Sequence, residues 1–301
     1  MQNKTAFIAI VGRPNVGKSS ILNQLLGQKI AIVSNKPQTT RTRIMGVLTE
    51  NDLQLVFIDT PGLHKPKTQL GNFMVRSITE SVAGVDACLL VVEADKPVSP
   101  ADLDLIEKFK TLKIPAILAI NKIDLVKEKS VIMKQIMDYN LLYPFAAIVP
   151  VSAETTSGLS ELKEELSNLA EPGVFLFPDD TLTDQPEKVI AAEIIREKIL
   201  RLLDKEIPHG TAVVIERMKK RENKDILDID ATIYCEKASH KGILIGKNGE
   251  MLKKIGTFAR SDMEAFFEEK INLTMWIKVK EDWRNRDGLL HTFGFDKSDF
   301  E

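Results

Sequence analysis

The sequence predicts two domains: a doubly wound α/β domain followed by a smaller α+β domain. Three observations carry this. The chain has 301 residues, more than one core usually organises. Up to about residue 170, short apolar runs alternate with helix-length amphipathic segments, the pattern of a parallel sheet covered on both faces. Beyond a Pro-rich break the runs instead alternate apolar and polar residues, as a sheet with one open face requires.

In order, "AFIAIV", "LQLVFI", "ACLLVV", "AILAI" and "AIVPV" read as strands, several of them apolar at every residue. Between them, Lys18–Leu26, Asp102–Lys110 and Leu159–Leu169 read as helices. Such a domain binds ligands at the C-terminal ends of its strands. The stretch "EPGVFLFPDDTLTDQPEK" breaks the rhythm with prolines, a glycine and other turn formers, and reads as a linker. Glu187–Lys205 then reads as an amphipathic helix with Ile195, Ile199 and Leu202 on its stripe. Leu227–Cys235 and Leu273–Val279 alternate strictly, so the second domain runs helix, strand, strand, helices, strand. The resulting division is residues 1–170, a linker over 171–186, and a second domain over 187–301 with its core at about 201–281. No internal repeat or low-complexity segment interrupts it.

Composition narrows the function classes. Hydrophobic residues at 44% and charged residues at 28% are those of an ordinary globular chain. A formal net charge of −2 means that affinity for nucleic acid must come from local patches. The two cysteines, Cys88 and Cys235, sit in apolar strand-like runs and read as core residues, not a disulfide or metal pair. No apolar run approaches the roughly 18 to 20 residues that span a bilayer, and the N-terminus runs directly into "TAFIAIVGRPNVGKSS" with no cleavable signal, so a cytoplasmic location is expected.

"GRPNVGKS" (Gly12, Arg13, Pro14, Asn15, Val16, Gly17, Lys18, Ser19) follows a strand and opens a helix, the context of a P-loop. Its glycines let backbone N–H groups wrap phosphates at the positive end of the helix. Lys18 is expected to reach the β- and γ-phosphates, and Ser19 to place its hydroxyl on Mg²⁺. "NKID", with Asn121, Lys122 and Asp124, closes the next-to-last strand of this domain. A carboxylate at Asp124 can accept from N1–H and the exocyclic amine of guanine, which adenine cannot supply. Val151, Ser152 and Ala153 end the following strand and can offer a backbone N–H to guanine O6. "DTPG", Asp59, Thr60, Pro61 and Gly62, supplies an acid toward Mg²⁺ and a glycine N–H toward the γ-phosphate. The four motifs in this order specify a guanine nucleotide.

These motifs resemble the G boxes of translation-factor-class GTPases. The resemblance implies a Mg²⁺-binding threonine in a first switch loop, matched by "QTTRT", with Thr40 the ligand and Thr39 its neighbour. It also implies switch loops over Ala31–Arg43 and Thr60–Thr79. One departure stands out: where Ras-type GTPases orient water with glutamine, this chain has Leu63, with His64 one residue on. Slow intrinsic GTP hydrolysis, raised by a partner or a cation, is therefore expected. Asn15 is similar to the asparagine with which some of these GTPases help bind K⁺; a loop-bracing role is the alternative.

A second glycine turn, "IGKNG", precedes a Lys-rich helix and resembles the Gly-x-x-Gly loop of a KH domain in its bacterial (type II) order. Gly246 and Gly249 would allow close approach of a single-stranded RNA backbone, with Lys247, Asn248 and Lys253 meeting phosphate or sugar. Lys237, Lys241, Lys247, Lys253 and Lys254 outweigh Glu236 and Glu250 over that span, and "RMKKRENK" adds a further basic run. From end to end the chain is identified as a member of the Era GTPase family, with "PDDTLTDQPEKVIAAEIIREKIL" similar to that family's linker and following helix. The resemblance implies GTP/GDP and Mg²⁺ as ligands, 16S rRNA near its 3′ end and the 30S subunit as partners, a role in subunit assembly and rRNA maturation, and peripheral membrane association. A monomer is expected. The competing reading is a signalling GTPase whose C-terminal domain binds protein.

Overall fold

A computed structural model describes residues 2–62 and 68–295, so Leu63, His64 and the acidic tail lie outside the described residues. The chain divides into two compact units. The first holds residues 1–31, 40–66 and 74–184; the second holds 32–39, 67–73 and 185–301.

The first unit contains β1 (Lys4–Val11), α1 (Lys18–Leu26), β2 (Ile44–Glu50), β3 (Leu53–Asp59), most of α2 (Gln69–Ala83), β4 (Ala87–Glu93), α3 (Pro100–Leu112), β5 (Ala116–Asn121), α4 (Lys129–Asn140), β6 (Ala147–Pro150), α5 (Leu159–Asn168) and β7 (Glu171–Pro172). The sheet order is β2-β3-β1-β4-β5-β6 among the described residues. β1 lies parallel to both β3 and β4, so the connections diverge from it to opposite sides. The crevice at such a switch point receives the ligand, and it is here that the glycine loop leaves β1. All five strands read from apolar runs are present. Side chains of α2, α3 and α4 close one face over Leu90, Val92, Leu118 and Ile120.

Four elements of this unit, β2, α2, α4 and β7, were not read from the sequence. β2 is antiparallel to β3 across a two-residue turn at Asn51 and Asp52, with Asn51 at φ 52°. A positive φ there suits the twist of a tight hairpin. The stretch read as a linker is also bonded to this unit. β7 pairs antiparallel with the start of β1. Gln54, buried on β3, accepts from the Leu176 and Phe177 amides at 2.8 and 3.1 Å and donates to Phe177 O at 2.9 Å. Val47 N donates to Leu182 O at 2.9 Å, and Thr183 Oγ1 to Met45 O at 2.6 Å.

The second unit contains α6 (Glu187–Leu202), β8 (Thr211–Lys220), β9 (Ile226–Cys235), α7 (Ala238–Ile245), α8 (Glu250–Phe267), β10 (Lys270–Val279) and α9 (Asp287–Thr292). Its sheet runs β10-β9-β8, with β8 antiparallel and β10 parallel to β9. Ile195 and Ile199 from α6, Leu244 from α7, and Ile255, Ala259 and Met263 from α8 bury against Ile229, Ala231 and Ile233. Cys88 and Cys235 are buried free thiols, and burial pushes both upward in pKa, Cys88 to about 12.

Three sequence expectations change here. The helix read to Lys205 ends at Leu202. It is not one-sided either, because Arg196, Glu197 and Lys198 are all buried with the apolar stripe. The sheet face read as open is partly covered: Tyr234 stacks on Phe293 at 4.5 Å, and Phe293 meets the buried Trp283, whose Nε1 donates to Gly210 O at 3.0 Å. Among the described residues, no helix is long and apolar enough to cross a membrane.

Ile255 is fully buried between α8 and the sheet. Ile255→Ala should destabilise the second unit by about 2–5 kcal/mol, read as a lower urea midpoint for its unfolding, while nucleotide affinity stays at the wild-type value.

Candidate functional site

The loop Gly12–Gly17 joins the C-terminal end of β1 to α1. Gly12 (φ 146°) and Gly17 (φ 103°) hold backbone conformations closed to most L side chains, and a Cβ on either would overlap Val91 O or the Asn121 amide. Asn15 also has a positive φ, 64°. Among the described residues no side chain caps the N-terminus of α1 at Gly17, which leaves the first amides of the helix available to an anion. Lys18 Nζ donates to Gly12 O at 3.2 Å and Arg13 O at 3.0 Å. Burial lowers its pKa to about 8, against the opposing pull of Asp59. A cation this poorly hydrated gains most when phosphate charge arrives beside it. Pro14 faces Gly62, where an added Cβ would come within 2.6 Å of Pro14 Cα.

Three oxygens converge beside Lys18. Ser19 Oγ donates to Asp59 Oδ2 at 2.6 Å and lies 3.0 Å from Thr40 Oγ1, which is 3.4 Å from Asp59 Oδ2. Burial raises the Asp59 pKa against Lys18, Ser19, Thr40 and the Thr60 amide, and among the described residues its buried Oδ1 has no hydrogen-bond partner. Mg²⁺ takes oxygen ligands at about 2.0–2.1 Å in octahedral geometry, which sets neighbouring oxygens about 3 Å apart. The donor set and its spacing fit that ion. Thr39, by contrast, turns its hydroxyl to Lys36 O at 2.6 Å and Ser34, away from the cluster.

The base-side residues are built round Asn121, only 2% exposed at the end of β5. Its Nδ2 donates to Val16 O at 2.8 Å, and its Oδ1 accepts from Ala153 N at 3.1 Å. Lys122, at φ 65°, donates to Asn15 O at 2.7 Å and pairs with Glu93. Asp124 is exposed in a 3₁₀ turn and accepts from Ser152 Oγ. One expectation shifts. The N–H groups of Val151, Ser152 and Ala153 are already given to Ile120 O, Ser157 O and Asn121 Oδ1, so a base oxygen would have to share one of them.

Sequence reading missed what stands behind this surface. Arg13 Nε lies 3.4 Å from buried Asp102 Oδ1. Asp102 Oδ2 accepts from Ser99 N at 2.9 Å and Tyr139 Oη at 3.0 Å. Burial first, then Asp102, pushes the Tyr139 pKa upward. The capping pattern "SPAD" (Ser99–Asp102) was a legible signal for the helix start, but nothing local linked it to Arg13. Gln24, whose Nε2 donates to Ala153 O at 3.1 Å, was equally hidden.

In the second unit, α7 ends at Gly246 (φ 74°), Asn248 takes φ 52°, and Gly249 (φ 81°) starts α8. A Cβ on Gly246 would lie 2.7 Å from Met251 Cβ, whereas Gly249 faces open space. Lys247, Asn248 and Lys253 are exposed. Among the described residues, Lys237, Lys241, Lys247, Lys253 and Lys254 form no ion pair. The "RMKKRENK" run differs, because three of its cations are paired with acids. Arg217 bonds Asp230 at 2.7 Å, Arg221 bonds Asp228 at 2.7 Å, and Lys220 lies between Asp225 at 2.8 Å and Glu269 at 2.9 Å. Arg221 and then Asn272 hold the Asp228 carboxyl at about 2. Three cations of that run are thus matched by acids, whereas, among the described residues, the lysines about the glycine turn are not.

A phosphate loop with a Mg²⁺-type oxygen cluster and a guanine-type Asn/Asp loop, joined to a Gly-x-x-Gly unit, defines a P-loop GTPase that carries a KH domain. Family models agree: residues 7–122 match "50S ribosome-binding GTPase" and residues 206–284 match "KH domain". GTPase Era of Clostridioides difficile (strain 630) is 50% identical over 97% of this chain and 98% of its own. A crystal structure of Era in complex with MgGDPNP and nucleotides 1506–1542 of 16S ribosomal RNA matches with TM-score 0.93 and 38% identity, covering 97% of this chain and 99% of that one. Aquifex aeolicus Era bound to GDP·AlF4⁻ matches with the same TM-score, identity and coverage. The chain belongs to the GTPase Era family.

Asp124→Asn removes a carboxylate that would take two hydrogen bonds from guanine. Charged hydrogen bonds contribute about 1.5–3 kcal/mol each, so GTP affinity should fall about 10²–10⁴-fold. Xanthosine triphosphate, whose C2 carbonyl accepts from the new amide, should bind the variant better than GTP does; competition binding checks this.

Proposed function

We propose that this protein hydrolyses GTP and uses the bound nucleotide to control its grip on 16S rRNA near the 3′ end, during 30S subunit assembly and rRNA maturation. The observation that carries the RNA half is the glycine turn. Two positive-φ glycines present backbone at the start of α8, and among the described residues every lysine read around it is without an ion pair, whereas Arg217, Lys220 and Arg221 of the other basic run are paired. The RNA-bound Era structure supports the small-subunit reading, since it matches nearly the whole chain. The family description naming the 50S particle matches only residues 7–122.

In this reading the amides of Gly12–Ser19 and Lys18 hold the β- and γ-phosphates. Ser19, Thr40 and Asp59 would hold Mg²⁺, which when bound would supply charge stabilisation to the transferring phosphoryl group. Asn121 and Asp124 select guanine, with Lys122 beside Asn15, and Gly62 N–H answers the γ-phosphate. Nothing equivalent to the Ras glutamine is read at Leu63, so intrinsic turnover is slow. Asn15 would help hold a K⁺ ion, which would supply positive charge beside the phosphates; bracing of the loop, whose Asn15 O accepts from Lys122, is the alternative. The protein works as a cytoplasmic monomer, with the peripheral membrane contact that the family resemblance implies.

Binding of an RNA from the 16S 3′ end to the full chain tests the RNA half. Affinity should fall with salt at a log–log slope of about −0.7 per phosphate contact. The double variant Lys247→Asp/Asn248→Asp, exposed and sterically free, should lose roughly tenfold or more; salt-insensitive binding that tolerates it would favour a protein-binding domain. Gly246→Asp is a poorer probe, because the side chain collides with Met251. Turnover should be several-fold higher in KCl than in NaCl, roughly the order of a partial arginine-finger effect, and Asn15→Ala should erase the difference.

A further inference from the structure

Three consecutive charged residues of α6, Arg196, Glu197 and Lys198, are 2%, 0% and 5% exposed. Successive helical residues are turned about 100° apart, so this triplet sweeps about 200° and can be buried only with partners on different sides. The partners are the segment 32–39 and α8, and all three belong to the second unit.

Segment 32–39 forms no helix or strand. Its backbone polar groups still need partners, and α6 supplies them. The Arg196 guanidinium, braced by Glu193 Oε1 at 2.7 Å, donates to Thr39 O and, at 3.4 Å, to Gln38 O. Glu197 Oε1 accepts from Val33 N at 3.1 Å, and Arg201 Nη2 donates to Val33 O at 3.1 Å. Lys36 pairs with Asp204 at 2.8 Å and donates to Leu203 O. On the other side, Lys198 joins Glu197 at 2.8 Å to Asp262 of α8. That helix carries the glycine turn at its start. Thr39 is one peptide bond from Thr40, whose hydroxyl lies in the Mg²⁺-type cluster.

We propose that Arg196, Glu197 and Lys198 are the positioning residues linking Thr40 to α8, so that the nucleotide state and the RNA grip are read through this one helix. The inference rests on the GTP- and RNA-binding reading above. The Thr39 carbonyl that Arg196 holds lies in the same peptide plane as the Thr40 amide, so a shift of the Thr40 backbone is resisted at Arg196. Lys198–Asp262 ties the same helix to the RNA-facing element. A conformation favoured by one ligand is then favoured for the other, and the linkage is reciprocal.

The test measures the full chain's affinity for an RNA from the 16S 3′ end, with GDP and with a non-hydrolysable GTP analogue plus Mg²⁺. Arg196→Lys keeps the charge but loses the planar fork. Asp262→Asn keeps an acceptor for Lys198, which remains paired with Glu197. Wild type should show an affinity ratio of roughly 5-fold or more between nucleotides, and each folded variant a ratio within about twofold of one. Arg196→Lys should also raise the Mg²⁺ concentration for half-maximal hydrolysis several-fold, roughly the loss of one charge-assisted hydrogen bond, while Asp262→Asn leaves it unmoved; a merely structural role would not separate the two. Should Arg196→Lys fail to fold, Asp262→Asn alone decides. A wild-type ratio retained in the folded variants, or a wild-type ratio of one, overturns the inference. Absence of any RNA binding by wild type overturns the underlying reading instead.

Discussion

The first unit is organised round a buried amide. Asn121 reaches from the end of β5 to Val16 O in the phosphate loop and accepts from Ala153 N in the loop after β6. Each of these bonds is made out of water, where an unmet donor or acceptor costs about 1–3 kcal/mol. The amide therefore fixes the phosphate and base subsites against each other before any nucleotide arrives. It also dictates its neighbour: Gly17 has no room for a Cβ, because the Asn121 amide occupies that space. Glycine there is required twice over, by contact and by a φ of 103°.

Charge is used in two contrasting ways. Where the chain must hold itself together, cations are paired: Arg217 and Arg221 with acids across the hairpin, Lys220 with Asp225 and Glu269, and Lys198 with two acids inside the second unit. Where an anion must be received, positive charge is held ready. Among the described residues the lysines of the glycine turn have no ion pair, and burial lowers the pKa of Lys18 to about 8 despite Asp59 beside it. A net charge near zero is compatible with RNA binding because this partition leaves the cations where they are needed.

The parallel strands were legible because burial on both faces writes itself as unbroken apolar runs, as in "ACLLVV". The loop residues Gly12–Ser19, Asp59–Gly62, Asn121–Asp124 and Val151–Ala153 were legible because each ends a strand. β2 was not: it is an antiparallel edge strand whose polar tail hid the pattern, although Asn51–Asp52 was a usable turn signal. "RMKKRENK" was read as a basic patch because linear charge does not reveal register; only the pairing of Lys219 and Arg217 opposite Asp228 and Asp230 shows the cancellation. Arg196, Glu197 and Lys198 looked like the wet side of an amphipathic helix, since a sequence does not disclose that a second surface will cover it.

Residues 176–183 lie along the outer edge of the first sheet, with Leu182 O and Thr183 answering β2 and Phe177 answering Gln54. An uncovered rim strand offers unsatisfied amides to any passing chain and is a template for self-association. Pro178 of this stretch suits such a duty, because a residue without an N–H cannot propagate the sheet further. What reads as a tether is therefore a selvedge. Trimming the protein at residue 170 to isolate its nucleotide-binding half would unpick it and leave that half prone to aggregate.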